Sequence, residues 1–80
     1  MKWYGAIGLF RHVFPDPDRI PMYEERVVIV SADNMADAET KILADFREYG
    51  SGDNGCEFLD QYEIVETYES PSSFQMLFAC

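Results

Sequence analysis

The sequence predicts a two-layer α+β domain in which a four-stranded antiparallel sheet carries one helix across one face. The apolar residues change from a strand-like period of two to a helical period near residues 32–35, and they return to period two after Gly50. The connection between the first two strand-like segments is too short for a helical crossover, so those strands should pair antiparallel. With a length of 80 residues, we expect residues 1–80 to form a single domain.

Two segments at the start of the chain are predicted to be strands. Residues 2–14 carry apolar side chains on both parities, which is typical of a central strand or of a strand whose second face meets a partner. Residues 22–31 contain the run Val27–Val30, in which every residue is β-branched and favours a strand. The prolines at positions 15, 17 and 21 predict a loop between the two strands.

A helix is predicted over residues 35–49. Asn34 is a suitable N-cap, and Gly50 suits the position where a residue in the left-handed conformation ends a helix. Apolar residues recur at spacings of three and four, which places them on one face of the helix. We expect this face to be buried against the sheet, with Ile42 and Phe46 as its anchors. The residues of this face are Met35, Ala38, Ile42, Phe46 and Tyr49.

The C-terminal third of the chain allows two interpretations. Apolar residues between positions 58 and 68 fit one face of a helix, but β-branched and aromatic residues from Tyr62 to Tyr68 favour a strand. We therefore predict a strand over residues 56–69, a turn over residues 69–73 and a closing strand over residues 74–79. The predicted order is β-β-α-β-β.

The charge balance argues against several classes of function. Six basic and fifteen acidic residues give a net charge of −9, which repels phosphate backbones and anionic lipids. We therefore expect neither nucleic-acid nor membrane binding. One histidine and two cysteines are too few for a zinc site built from Cys and His alone, and we expect no metal and no cofactor. Cys56 and Cys80 could form one disulfide, but small secreted domains usually carry more of them, so we expect two free thiols in the cytoplasm.

An acidic segment is the main candidate for a partner-binding site. Residues 53–80 contain six carboxylates and no lysine or arginine, and aromatic residues lie between the carboxylates. One interpretation is a solvated sheet edge whose charges prevent association. The other is a docking surface for a basic protein, with tyrosine anchors inside an acidic rim. The predicted partner-binding residues are Glu57, Asp60, Tyr62, Glu63, Glu66, Tyr68 and Glu69.

Two smaller groups of residues are candidates for local polar contacts. Glu24 and Arg26 share one face of the second strand, and we expect a cross-strand ion pair there, for example with Arg11 or Lys2. His12 and Cys56 are types of residue that form a base and a nucleophile, but no glycine-rich elbow surrounds the cysteine. We therefore predict no catalytic residues.

Three parts of the sequence together resemble the domain-of-unknown-function family 4288, which consists of small bacterial proteins. They are the opening Trp3-Tyr4, the run Tyr23–Val30, and the helix entry Ala32-x-x-x-Ala36-x-Ala38. The chain departs from the family pattern before the third strand and in the last strand, where Gln75–Phe78 replaces the usual ending. The resemblance implies the β-β-α-β-β order and no activity.

The predicted function is that of a non-catalytic acidic binding protein. Small acidic proteins of this kind are similar to bacterial immunity proteins, which act as antitoxins, and the predicted partner is the basic active-site surface of a toxin domain. The alternative is a small structural or regulatory module that self-associates, for example as a homodimer, through an apolar second face of its sheet.

Overall fold

The computed structural model describes residues 2–67. Three strands, β1 (Lys2–His12), β2 (Met22–Ala32) and β3 (Cys56–Thr67), accompany one helix, α1 (Met35–Tyr49). The strands form one antiparallel sheet in the order β2-β1-β3, so the α+β class and the central position of β1 are confirmed. The predicted turn over residues 69–73 and closing strand over residues 74–79 lie outside the described residues.

The register of the sheet assigns each side chain to one of two faces. Tyr4 lies opposite Val30 of β2 and opposite Glu66 of β3, and Ala6 lies opposite Val28 and Ile64. Even-numbered residues of β1 therefore point towards α1, and Tyr4 and Ala6 are buried there. Odd-numbered residues of β1 point away from the helix, because successive side chains of a strand alternate between faces.

The centre of the core is a group of three phenylalanine rings from three elements. Phe10 of β1, Phe46 of α1 and Phe58 of β3 have ring centroids 5.2–5.4 Å apart. Such distances fall in the range at which aromatic pairs attract one another. Ile42 and Phe46 are fully buried, which confirms them as the anchors of the helix. Met35 was predicted on the same face but is exposed, because it lies at the first residue of α1, beyond this core.

The two ends of α1 differ in how well the sequence predicted them. Asn34 is the N-cap, and its side chain accepts a hydrogen bond of 2.9 Å from the backbone N–H of Asp37. The left-handed conformation predicted for Gly50 is wrong, since its φ is −102°. Glycine is required there for a different reason: a Cβ at this position would lie 2.4 Å from the backbone nitrogen of Phe58.

The ambiguous third segment is a strand, as predicted, and it contains a bulge. The pairing of β3 with β1 shifts between Gly8 and Phe10, so that residues 59–61 of β3 face Leu9 alone. Asp60 lies in this bulge with φ of 58°, a conformation that Asp tolerates better than most residues. The bulge adds two residues to β3, so Tyr62 stays on the same side of the sheet as Phe58, the helix side. Among residues 2–67, no helix is long and apolar enough to cross a bilayer.

Candidate functional site

The sheet face opposite α1, here called the open face, is not covered by any described residue. It carries odd-numbered residues of β1 together with their cross-strand neighbours on β2 and β3. Four large apolar side chains on it are 36–56% exposed, whereas Tyr4, Ala6 and Phe10 of the central strand are fully buried beneath the helix. A contiguous apolar surface of this kind is typical of an interaction site. The four residues are Trp3, Ile7, Val27 and Val65.

Two carboxylates border a hollow of about 380 Å³ in the open face. Glu25 of β2 lies opposite Leu9, and Glu63 of β3 lies opposite Ile7, so the two carboxylates flank the central strand. Within residues 2–67 neither carboxylate has an ion pair or a side-chain hydrogen bond. The open face therefore combines apolar side chains with uncompensated negative charge.

Two of the predicted acidic residues are compensated by cations of β1. Glu57 forms an ion pair of 3.1 Å with Arg11, and Glu66 lies 3.7 Å from Lys2 Nζ. The acidic segment has no cation of its own, but its pairing with β1 supplies two. Asp60 is exposed in the bulge of β3. The only predicted carboxylates of the described chain without an ion pair are thus Asp60 and Glu63.

The predicted partner-binding residues are divided between the two sides of the sheet. Tyr62 points to the helix side, is half-buried, and donates a hydrogen bond of 3.3 Å to Glu39 of α1. Burial and the nearby Glu39 carboxylate raise the pKa of the Tyr62 phenol. Glu66 also lies on the helix side, whereas Glu57 and Glu63 lie on the open face. The remaining two predicted residues, Tyr68 and Glu69, lie outside the described residues.

A second group of polar side chains lies at the end of the sheet where the last residue of β1 meets the first residue of β3. His12 Nε2 is 2.7 Å from Glu24 Oε1 and 3.8 Å from Cys56 Sγ. The Tyr49 hydroxyl donates to the same carboxylate at 2.8 and 3.1 Å. Cys56 is a free thiol and is 2% exposed, whereas His12 and Glu24 are partly accessible to solvent.

The contacts within this cluster shift the pKa values of three groups. Hydrogen bonds from His12 and then from Tyr49 lower the pKa of Glu24, because they stabilise its carboxylate form. The same bond to Glu24 raises the pKa of the Tyr49 phenol, since it holds the phenolic proton. Burial, and then the negative charge of Glu24, raise the pKa of the Cys56 thiol. Both effects favour the thiol of Cys56 over the thiolate.

This geometry is a poor arrangement for a cysteine nucleophile. A reactive cysteine is exposed and is held as a thiolate by a neighbouring base or cation. Cys56 is buried, and the His12 nitrogen that faces it is already hydrogen-bonded to Glu24. The same three side chains do offer one nitrogen, one oxygen and one sulfur within 4.8 Å of one another, which is the spacing of a metal-ligand set.

Sequence reasoning predicted that Glu24 and Arg26 would be paired, but the expected partners were wrong. Arg26 donates to Asp45 of α1 at 3.1 Å, and its guanidinium lies 4.2 Å from the centre of the Tyr49 ring. Glu24 pairs with His12 instead of Arg11 or Lys2. The available signal was the hairpin register: Phe10 lies opposite Glu24, which places His12 two residues further along β1 on the same face.

Comparisons with known proteins add no family assignment. No protein-family model matches the chain, and neither the curated proteins nor the solved structures contain a match. The resemblance to the domain-of-unknown-function family 4288 therefore stays a prediction. The function has to be argued from the open face and from the cluster around His12.

Proposed function

We propose that this protein is a non-catalytic binding protein whose open face docks on a basic surface of a protein partner. The partner we favour is the active-site region of a bacterial toxin domain, which makes this chain an immunity protein. The observation that carries the proposal is the exposed apolar surface around Ile7, bordered by the uncompensated carboxylates of Glu25 and Glu63.

The composition of the open face matches the general anatomy of an interface. Interfaces have an apolar centre with aromatic anchors and a polar rim, and Trp3 is an aromatic residue on this face. Glu25 and Glu63 lie beside the hollow where lysine or arginine side chains of a partner would approach. The net charge of −9 would speed the encounter with such a basic surface.

The proposal of a non-catalytic role rests on the cluster around His12. Its cysteine is buried, and the histidine nitrogen that faces the cysteine is hydrogen-bonded to Glu24, so the cluster presents no accessible nucleophile. A free cysteine also suits a reducing compartment, and we propose a cytoplasmic location on that basis. These features support a protein that acts by covering a surface of its partner and not by catalysing a reaction.

We propose a basic protein as the occupant of the open face, in preference to two other candidates. A second copy of this chain would bring two surfaces of the same negative charge together, which is unfavourable. Residues 74–79 are the other candidate, and we propose that they add a fourth strand at the outer edge of β3. That edge has no neighbouring strand among residues 2–67 and is open to a further strand.

The test measures binding to the purified product of the adjacent open reading frame in the source genome. Association and dissociation rates are recorded over a salt series for the wild type, Ile7→Ser and the double variant Glu25→Gln/Glu63→Gln. The double variant should slow association at low salt, because rim charges act mainly on the association rate. Ile7→Ser should speed dissociation, with a cost of about 2 kcal/mol if Ile7 is a hot spot.

Matched controls come from the other side of the molecule. Met35→Ser removes an exposed apolar side chain on the helix side, and Glu39→Gln removes a carboxylate of the helix. Neither control should change the two rates. Absence of binding by the wild type, or equal losses in controls and open-face variants, would contradict the proposed function.

Two further measurements decide between the possible occupants. A dimer in sedimentation equilibrium that Ile7→Ser converts to a monomer would favour the self-associating module. A nitroxide attached to Cys80 in a Cys56→Ser background tests the C-terminal residues. Concentration-independent broadening of the Trp3 and Val65 amide signals would show that those residues cover the open face and would overturn the proposal.

A further inference from the structure

The three strands of the sheet each supply one polar side chain to the cluster at one end of the sheet. His12 is the last residue of β1, Glu24 is the third residue of β2, and Cys56 is the first residue of β3. Their nitrogen, oxygen and sulfur atoms all lie within 4.8 Å of one another. Cys56 also belongs to the core, but packing does not require the nearby imidazole and carboxylate, and binding at the open face does not use them.

We propose that His12 Nε2, one carboxylate oxygen of Glu24 and Cys56 Sγ bind a single divalent transition-metal ion, with Zn²⁺ as the preferred ion. A water molecule completes a tetrahedral site. The proposal is independent of binding at the open face, because the three ligands lie at the end of the sheet and Cys56 is buried on the helix side.

The distances from His12 Nε2 to the other two ligand atoms are close to those of such a site. Zinc ligands at about 2.0 Å for nitrogen and oxygen and about 2.3 Å for sulfur lie roughly 3.3–3.5 Å from one another in a tetrahedron. In the structure, His12 Nε2 is 2.7 Å from Glu24 Oε1 and 3.8 Å from Cys56 Sγ. Movements of a few tenths of an ångström bring these two distances to the tetrahedral values, and the third, between the Glu24 carboxylate and Cys56 Sγ, lies within 4.8 Å and has to shorten to about 3.5 Å.

The chemistry of the ligand set selects the class of metal. A thiolate and an imidazole favour Zn²⁺ and similar transition ions over Mg²⁺ and Ca²⁺, which prefer oxygen ligands. The thiolate and the carboxylate together carry two negative charges, which the ion neutralises. Binding releases the thiol proton of Cys56 to solvent, and the Nε2 proton that His12 shares with Glu24 is exchanged through solvent to leave a neutral ring protonated on Nδ1, so that Nε2 is free to coordinate. The ion thus takes the place of the hydrogen bond between His12 and Glu24.

The surroundings of the cluster also resemble those of a metal site. The Tyr49 hydroxyl donates to the carboxylate of Glu24 and orients it, as the outer hydrogen bonds of metal ligands do. His12 and Glu24 have side chains that are 29% and 38% exposed, so an ion reaches the cluster from solvent. A bound ion would join β1, β2 and β3 at this end of the sheet and stabilise the folded chain.

The first experiment titrates metal-depleted protein with Co²⁺ and Zn²⁺. A Cys80→Ser variant serves as the reference, because Cys56 is then the single thiol of the chain. Co²⁺ should bind with one-to-one stoichiometry, produce a sulfur-to-cobalt charge-transfer band, and be displaced by Zn²⁺. At a free Zn²⁺ concentration of a hundred times Kd, the melting temperature should rise by about 10–20 °C.

Variants of the cluster distinguish coordination from a general effect of charge. His12→Gln and Cys56→Ser should each weaken Zn²⁺ binding by more than about 100-fold, and Cys56→Ser should abolish the charge-transfer band. Tyr49→Phe, which removes an outer hydrogen bond, should weaken binding by about 10-fold. Glu57→Gln removes an exposed carboxylate next to Cys56 and should leave binding unchanged.

The amide of the glutamine in His12→Gln can still donate a hydrogen bond to Glu24, so we expect this variant to fold. It therefore tests metal binding even if Cys56→Ser fails to fold. The proposal is overturned if Zn²⁺ shows no saturable one-to-one binding, if Co²⁺ binds without the charge-transfer band, or if His12→Gln binds Zn²⁺ as tightly as the reference. In each case the cluster is only a hydrogen-bonded network at the end of the sheet. None of these outcomes changes the expected behaviour of the open-face variants.

Discussion

The ring of Phe46 lies directly over Gly8, so close that a Cβ at position 8 would be 2.6 Å from Phe46 Cε2. This contact lets α1 approach the central strand and places Phe46 among the rings of Phe10 and Phe58. The separation of the molecule into a buried helix side and an open face depends on this approach.

Replacing Gly8 by alanine should destabilise the fold by forcing the Phe46 ring to move. Overpacking of a well-packed core costs about 1–3 kcal/mol, and a urea melt measures the loss. In a double-mutant cycle, Phe46→Leu should relieve part of the cost of Gly8→Ala, because the smaller side chain leaves room for the methyl group. Strictly additive free energies would show that the two positions do not meet.

Truncation of Phe46 to alanine should cost about 3–5 kcal/mol, because the side chain is fully buried. A domain of this size has a total stability of only about 5–10 kcal/mol, so the variant should be close to unfolding at room temperature. Met35→Ala on the same helix is the control and should cost less than about 0.5 kcal/mol. A loss below about 1 kcal/mol for Phe46→Ala would contradict the assigned helix face.

The end of the helix gives a prediction that separates two explanations for Gly50. If the left-handed conformation were required, asparagine would be a tolerable substitute. Since the constraint is the close approach to the backbone of Phe58, Gly50→Asn and Gly50→Ala should both destabilise, by about 1–3 kcal/mol. Thermal melts that show Gly50→Asn near the wild type would restore the left-handed explanation.

Arg26 should contribute more to stability than its ion-pair partner Asp45. The ion pair is partly exposed, so Asp45→Asn should cost less than about 1 kcal/mol. Arg26→Ala loses the ion pair and also the contact of the guanidinium with the Tyr49 ring, which should add about 0.5–1 kcal/mol. Equal losses of unfolding free energy in denaturant melts of the two variants would show that the contact with the Tyr49 ring contributes no stability.

Local sequence patterns predicted the elements well, because each pattern reports on its own segment. The change of period fixed the helix at Met35–Tyr49, and the β-branched run placed β2. Contacts between distant segments were predicted less well. The close approach of Gly50 to Phe58 depends on how β3 returns beside α1, and no local pattern reports it.

The candidate site was predicted only in part for a similar reason. The acidic segment is evident in the sequence, but its pairing with β1 supplies Lys2 and Arg11 to two of its carboxylates. The bulge at Asp60 interrupts the pairing of β3 with β1 and leaves Asp60 exposed, and a strict period of two cannot anticipate it. The sequence did indicate an apolar second face on β1, and this face became the proposed interface.

The most direct test of the central claim is a methyl and indole NMR titration with the purified product of the adjacent open reading frame. If the open face binds this partner, the largest shift changes should occur at the methyl groups of Ile7, Val27 and Val65 and at the indole of Trp3. The methyl group of Met35, exposed on the helix side, should not respond. Changes concentrated at Met35, or no changes on the open face at saturation, would contradict the proposed function.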